Sequence, residues 1–286
     1  MYSTDYWTVM DDLVGHSFSP KELAAVVGVS QSSIKRWVDA GHIPVTRTAG
    51  GHRRISRNAA LHFIRSKQMT IVRPDLLGIP DLRDVARPIE SAKLSGEFLH
   101  GLMLSGKTEQ VRRAVTAAFL AGAPIGELFD DAITEALARV GEIWKTDQRG
   151  VFIEHGATSI IIEVISHIAA LMGPPDDDAP LAVGGAPQED PHIIPSQMVA
   201  TTLLDSGWRT INMGPNTPVH AISDAVDTHL PQLVWLAVKS RLHGRELEDL
   251  VQLAESLLAE QMVVVVGGRE AQRTREHWPE GVQMLD

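Results

Sequence analysis

Three short constellations in the second half of the chain carry side chains suited to holding a ligand. Trp144 is followed after nine residues by Glu154 and His155. Asp190-Pro191-His192 opens a later segment, and Gly267-Gly268 closes a run of valines further on. The His192 imidazole is a candidate metal ligand. Asp190, two residues earlier, can hold one ring nitrogen, which fixes the tautomer and raises the basicity of the other. Gly267 and Gly268 let a bulky group come close to the backbone. The indole of Trp144, the carboxylate of Glu154 and the imidazole of His155 can wall off the opposite face of the same group. Together these residues describe a large flat ligand, carrying a metal that takes an imidazole, held between a helical and an α/β segment.

Each of these residues also has a plainer reading. A lone loop histidine is ordinarily solvated, a Gly-Gly pair is ordinarily a strand-to-loop turn, and a helical tryptophan is more often core than ligand contact. His192 lies off any apolar stripe and on the same sheet rim as Gly267-Gly268, which favours the ligand. Glu154 and His155 are adjacent, so they cannot both face a buried stripe. Catalysis asks for more, namely a nucleophile, a base and oxyanion donors in one place. No G-x-S-x-G, P-loop or H-E-x-x-H pattern occurs, and Gly184-Gly185 lacks the dinucleotide fingerprint spacing. The chain reads as a binding protein and not an enzyme.

The elements that position these residues follow a basic front end. The net charge is −10, yet residues 19–73 hold ten Lys/Arg against two acids, Glu22 and Asp39. A cationic block inside an acidic protein is a polyanion footprint when a motif accompanies it. Ser19-Pro20-Lys21-Glu22 reads as a capped helix start. Leu23, Val26 and Val27 form its buried stripe and Gly28 ends it. Ser30 caps a second helix running through Asp39, with Gly41 as its stop. That is a helix-turn-helix. Ile34, Trp37 and Val38 face its core, which leaves Gln31, Ser32, Ser33, Lys35 and Arg36 outward for the major groove of double-stranded DNA. Ile43–Arg47 and His52–Ile55 flank Thr48-Ala49-Gly50-Gly51 as a hairpin carrying Arg47, His52, Arg53 and Arg54. Beside a recognition helix such a hairpin is a wing on the phosphate backbone or the minor groove. Ser56 caps a third helix through Lys67.

Residues 73–90, with Pro74, Gly78, Pro80 and Pro88, read as a linker. Amphipathic stretches at about 91–104, 107–121, 125–144 and 151–172 follow with short connections, which implies a four-helix bundle. Gly173–Pro180 is a second linker. Beyond it, apolar runs at 181–183, 209–213, 233–238, 262–266 and 282–285 alternate with helical patterns at about 195–206, 218–229 and 245–260. That alternation argues a parallel sheet whose ligands gather at the carboxyl ends of the strands. His192, Asn216-Thr217, Lys239-Ser240 and Gly267-Gly268 all fall there. The expected domains are thus 1–72, a winged helix-turn-helix; 90–173, a four-helix bundle; and 180–286, an α/β domain with a parallel sheet.

Composition bounds the rest. No cysteine occurs, which excludes disulfides, thiolate metal sites and thioether-linked chromophores. No apolar run approaches the roughly 18 residues of a membrane helix, and the N-terminus lacks a secretory pattern. A cytoplasmic protein with no membrane partner is expected.

Taken in order, these motifs make the chain resemble the MerR-type cobalamin-dependent photoreceptor repressors of the CarH/LitR type, over nearly its whole length. The resemblance implies a DNA-binding transcriptional regulator holding cobalamin between the bundle and a flavodoxin-like (Rossmann-type) α/β domain, with adenosylcobalamin favoured. Trp144, Glu154 and His155 would lie over the upper side of the corrin. His192, oriented by Asp190, would be the axial ligand to cobalt, and Gly267-Gly268 would accommodate the nucleotide tail. Ligand state would set homo-oligomerisation, as dimer or tetramer, on a DNA operator. Three positions depart from the family. Lys145 replaces a histidine that takes cobalt after photolysis, and a protonated amine cannot do that. Pro195 replaces the glycine ending the His192 loop. Ala237 replaces a serine that meets the nucleotide tail, removing a hydrogen bond worth roughly 1 kcal/mol. Two other readings use the same scaffold: a non-covalent bilin or other tetrapyrrole in the slot, or no ligand at all. A corrinoid methyl carrier would have no use for residues 18–67.

Overall fold

The computed structural model describes residues 17–79, 94–143 and 150–285. They fall into two compact units, residues 1–174 and 175–286, and the division lies within the second expected linker.

The first unit begins with α1 (Pro20–Val27) and α2 (Gln31–Asp39). Ser19 and Glu22 form the expected capping box, and Ser30 accepts from the Ser33 amide. Gly28, at φ 69°, is the left-handed stop between the helices, a conformation that favours glycine. Strands β1 (Thr46–Arg47) and β2 (Arg53–Arg54) pair antiparallel, closed at the tip by Gly51 N–H to the Thr48 carbonyl and Thr48 N–H to the His52 carbonyl. Helix α3 (Arg57–Ser66) starts at the Ser56 cap. Its Phe63 ring lies 5.1 Å from that of Trp37. Ile34, Ile43, Ile55, Leu61 and Ile64 complete a dry core.

The first residues of the expected linker belong to that core. Pro74–Leu77 forms a 3-10 turn with Pro74, Leu77 and Ile79 buried, and the Val72 amide donates to the Val26 carbonyl. Arg57 reaches the Leu77 carbonyl. Proline content alone suggested a tether, but the apolar residues between the prolines have a core to enter. Residues 80–93 lie outside the described residues.

Four helical stretches then pack on one another: α4 (Gly96–Leu104), α5 (Thr108–Leu120), a π-helical stretch Glu127–Thr134 that continues into α6 (Glu135–Ile143), and α7 (Gly150–Met172). Helix α7 has 23 residues and is long and apolar enough to cross a membrane by length and composition, which the search for unbroken apolar runs did not anticipate. Here its Ile161, Val164, Ile165 and Ile168 are buried, and it packs against α5 and α6. Helix α3 of the front end also packs on α5 and α7, so the helix-turn-helix and the helical stretch share one unit.

The second unit is a five-stranded parallel sheet. In chain order its elements are β3 (Leu181–Gly185), α8 (Ile194–Asp205), β4 (Arg209–Asn212), α9 (Val219–His229), β5 (Leu233–Ala237), α10 (Gly244–Ala259), β6 (Val263–Gly267), α11 (Arg269–Arg273) and β7 (Gln283–Leu285). The strand order is β4-β3-β5-β6-β7, all parallel, the flavodoxin-like order with its switch point between β3 and β5. Alternate residues face opposite layers. Val234, Leu236, Val264 and Val266 pack with Ile222, Leu250 and Trp278 on one face. Ala182, Leu233, Trp235 and Val265 meet Val199, Ala200 and Leu203 of α8 on the other. The periodicity located every strand; α11, of five residues, is too short to show one.

Candidate functional site

Two sites take shape, one in each unit. On α2, Gln31, Ser32, Lys35 and Arg36 are exposed and Ser33 is half-buried. The Ser32 and Ser33 hydroxyls lie 2.8 and 3.0 Å from Ser30 Oγ, inside the helix cap. Arg47 and His52 are exposed on the hairpin. The neighbouring arginines are less open. Arg53 donates to the Asp39 carboxylate at 2.5 Å, and Arg54 lies 3.8 Å from Glu22. These pairs tie β2 to α2 and α1. As partly exposed ion pairs they stabilise little, but they orient the hairpin and consume cationic charge.

Of three further arginines in the basic block, two are turned inward and the third, exposed, is held by an acid. Arg57 is buried against the Leu77 carbonyl, its Nε without a hydrogen-bond partner, and burial pushes its pKa down. Arg73 is held by Asp75 at 2.7 Å. Arg65 donates from Nε to the Phe119 carbonyl at 3.0 Å and from Nη2 to the Ala123 carbonyl at 3.3 Å, with its guanidinium 3.8 Å above the Phe119 ring. A cation on the last carbonyls of α5 is a C-terminal cap. Sequence reasoning assigned these side chains by neighbourhood; only the Phe119 register across the packing interface could have separated Arg65 from the rest.

The second site is built around Asp190. Its carboxylate is almost fully buried, with side-chain exposure of 1%. One oxygen accepts from His192 Nδ1 at 2.6 Å and from the His192 amide at 3.1 Å. The other accepts the amides of Lys239 at 2.6 Å and Ser240 at 2.8 Å. Burial alone would raise this carboxyl; the hydrogen bonds from His192, Ser240 and Lys239 outweigh it and hold the pKa at about 2. An ionised Asp190 can only accept, so Nδ1 must donate. The lone pair therefore sits on Nε2, on a ring that is 38% exposed. Asp190 bridges the loop after β3 to the loop after β5, across the switch point, and its carbonyl takes the Asn216 amide from the loop after β4. Pro195 stands in the first turn of α8, where its fixed φ and missing N–H are tolerated, and the Asp190–His192 pair is intact beside it. A cavity of about 530 Å³ is lined by Pro187, Val219, His243 and Leu250 among others, and not by His192.

A corrinoid's metal asks for one protein nitrogen. No group of three or more His, Asp or Glu able to hold a metal ion occurs among the described residues. His192 Nε2 fits that single-donor role. The glycines expected to admit a nucleotide tail are closely packed by their own unit. A Cβ on Gly268 would lie 2.4 Å from the Val238 carbonyl oxygen, and φ there is +107°; a Cβ on Gly267 would lie 3.1 Å from Leu285 Cβ. The space freed by the missing side chains is taken up within the unit. Ala237 is buried beside Gly267, its partner in register. Below them Trp235 is fully buried, and its Nε1 donates to Ser196 Oγ at 3.0 Å. Neither Trp235 nor Ser196 stood out in the sequence.

Of the helical triad, Trp144 lies outside the described residues, as does Lys145. Glu154 and His155 both sit exposed in the first turns of α7, with Phe152 81% exposed beside them. They belong to the first unit, and Asp190 and His192 to the second.

Among curated proteins no match was found. Three solved structures are similar: a novel cobalamin-binding protein from Desulfitobacterium hafniense DCB-2, at 19% identity and TM-score 0.34, over 62% of this chain and 88% of that one; the Methanosarcina barkeri monomethylamine corrinoid protein, at 17% and 0.48, over 65% and 91%; and the methanol:cobalamin methyltransferase complex MtaBC from Methanosarcina barkeri, at 17% and 0.30, over 65% and 72%. Residues 17–68 match the helix-turn-helix domain family, and residues 98–169 match the B12 binding domain family. The chain thus joins a helix-turn-helix domain to a B12 binding domain.

Proposed function

We propose that this protein is a transcriptional repressor whose grip on DNA is set by a corrinoid bound through His192. The observation that carries the reading is the Asp190–His192 pair at the sheet's switch point, in a chain that also has the two matched domains. A buried carboxylate with four hydrogen-bond donors is an expensive way to orient a surface histidine. It is a direct way to present a fixed, basic Nε2 to a metal. A bound corrinoid would supply that metal, and His192 would hold it. Glu154 and His155 on α7, together with Trp144, are the helical unit's contribution to ligand binding, with an adenosyl corrinoid the favoured form.

At the other end, Gln31, Ser32, Lys35 and Arg36 read the major groove of an operator, and the hairpin with Arg47 and His52 serves as the wing. A single small head binds weakly. Homo-oligomerisation to a dimer or tetramer multiplies it by linkage, without new base contacts, and ligand state controls that step. A bound corrinoid would supply the photochemistry for a response to light, and Lys145, a protonated amine, would not serve as a metal ligand in it. Such a regulator works in the cytoplasm, without a membrane partner.

Absorption spectra with and without added corrinoids, adenosylcobalamin and the tail-less cobinamide among them, in darkness and after illumination, test the reading. With at least one corrinoid, a ligand-dependent spectrum that changes in His192→Ala, with circular dichroism unaltered, is expected. A protein that stays colourless with every corrinoid, or bound spectra that are all indifferent to His192→Ala, refutes it.

A further inference from the structure

The residues of the α8-facing side of the sheet point to a ligand narrower than cobalamin itself. We infer that Trp235 bars a nucleotide tail from the α/β unit, so that this chain takes a corrinoid by its ring and metal and prefers one without the tail. The inference rests on the corrinoid reading of His192.

Leu233, Trp235 and Ala237 alternate onto one face of β5, and Val265 and Gly267 onto the same face of β6. Ala237 and Gly267 form the rim, where a tail would enter. Trp235 is the next inward residue on its strand, only roughly 7 Å below at the usual rise of a strand. Its indole crosses β3 at Gly184, its partner in register, where a Cβ would lie 2.3 Å from indole Cδ2. The Trp235 carbonyl oxygen lies closer still, at 2.2 Å, so the backbone and the ring of Trp235 together require glycine at 184. The ring then reaches α8, where Nε1 donates to Ser196 Oγ at 3.0 Å; Ser196 Oγ donates in turn to Asn212 Oδ1 at 2.8 Å, and that oxygen also accepts the Gly214 amide. Ser196 is fully buried. A base and its ribose-phosphate arm are longer than one residue layer, so they meet this floor before they are housed. Moving the indole aside would break a chain of buried hydrogen bonds, each costly to leave unmade, and would uncover the largest side chain in the layer. The small residues at the rim are a mouth with no slot behind it.

The test uses the full chain, titrated with aquacobalamin and with cobinamide, which has the same ring and no nucleotide base. Absorption reads affinity. Electron paramagnetic resonance of the reduced cobalt, with nitrogen-15 histidine, reads the axial ligand. Cobinamide is expected to bind at least tenfold tighter than cobalamin, with histidine nitrogen on the metal; any cobalamin that binds is expected to keep its own base there. Trp235→Ala is expected to narrow the ratio at least tenfold, and because the wild-type ratio decides by itself, failure of that variant to fold leaves the test intact. Cobalamin bound as tightly as cobinamide, with its base displaced and a histidine on cobalt, overturns the inference and leaves the corrinoid reading standing. Binding of neither corrinoid overturns both.

Discussion

Replacing Asp190 by asparagine removes one charge and keeps the shape of the side chain, so it isolates what the carboxylate does. In the folded protein this carboxyl titrates at about 2, against an ordinary 3.8. Each unit of difference corresponds to roughly 1.4 kcal/mol, so ionised Asp190 contributes about 2 kcal/mol of stability at neutral pH. Because the folded-state value is the lower one, that stability is fully present above the unfolded-state pKa. It is lost as pH falls from there through the folded-state pKa. The gap between wild type and Asp190→Asn is therefore about 2 kcal/mol at pH 7 and roughly half of that at pH 3. The amide has a second effect. Its NH2 must face either Nδ1–H of His192 or the amides of Lys239 and Ser240, and all of these are donors. The imidazole resolves the conflict by moving its proton to Nε2, which removes the outward lone pair. Urea unfolding of the fluorotryptophan-labelled chain, followed by the fluorine resonance of Trp235, measures the first effect in the correct unit. Nitrogen NMR of labelled histidine measures the second. A gap that is absent, or equal at both pH values, refutes the linkage, and an Nδ1 proton that persists refutes the tautomer argument.

Three other perturbations separate structural cations and glycines from functional ones. Arg65→Ala removes two bonds from a charged donor to the end of α5 and is expected to destabilise the first unit by about 2 kcal/mol, with faster hydrogen exchange over residues 119–123; unchanged exchange counts against the cap. Arg47→Ala is expected to leave the melting temperature alone and to lower the log–log salt slope of operator binding by about 1; an unchanged slope removes Arg47 from the DNA contact. Gly268→Ala places a Cβ against the Val238 carbonyl at a positive φ and is expected to cost about 3 kcal/mol or more; a variant that melts with the wild type refutes the packing account.

Much of this architecture was legible because periodicity and punctuation agree with the fold. Ser19-Pro20 with Glu22, Ser30 and Ser56 each appear as the caps their residue types announce, and the strands follow the apolar runs within a few residues. The order of the strands was not legible. It depends on which crossover returns over which face, and no local pattern records that. The Asp190–His192 pair was visible through its spacing, but the other half of its setting was not: the Lys239 and Ser240 amides are backbone groups from a loop 49 and 50 residues away, and every residue has a backbone amide.

Several residues hold internal partners that their neighbours in sequence do not announce. Arg53, Arg57, Arg65 and Arg73 were counted as surface charge because they stand near other cations in sequence, and Gly267-Gly268 as a cradle because small residues near a strand end can leave room. Both inferences treat a residue type as free until a partner is named. In the folded chain Asp39, Leu77, Phe119 and Asp75 had already engaged those guanidinium groups, and Val238 and Leu285 had already closed over those glycines. Within residues 19–73 the exposed cations outside those pairings are Lys21, Lys35, Arg36, Arg47 and Lys67, and in the rear unit His192 is half-exposed. A composition of charge overstates a DNA footprint by the cations that topology diverts inward. A motif of small residues overstates a ligand slot by the backbone that topology packs against it. Counting only the side chains left after those internal partners are satisfied gives the DNA contact fewer charges, and gives the corrinoid a single nitrogen with a shallow rim.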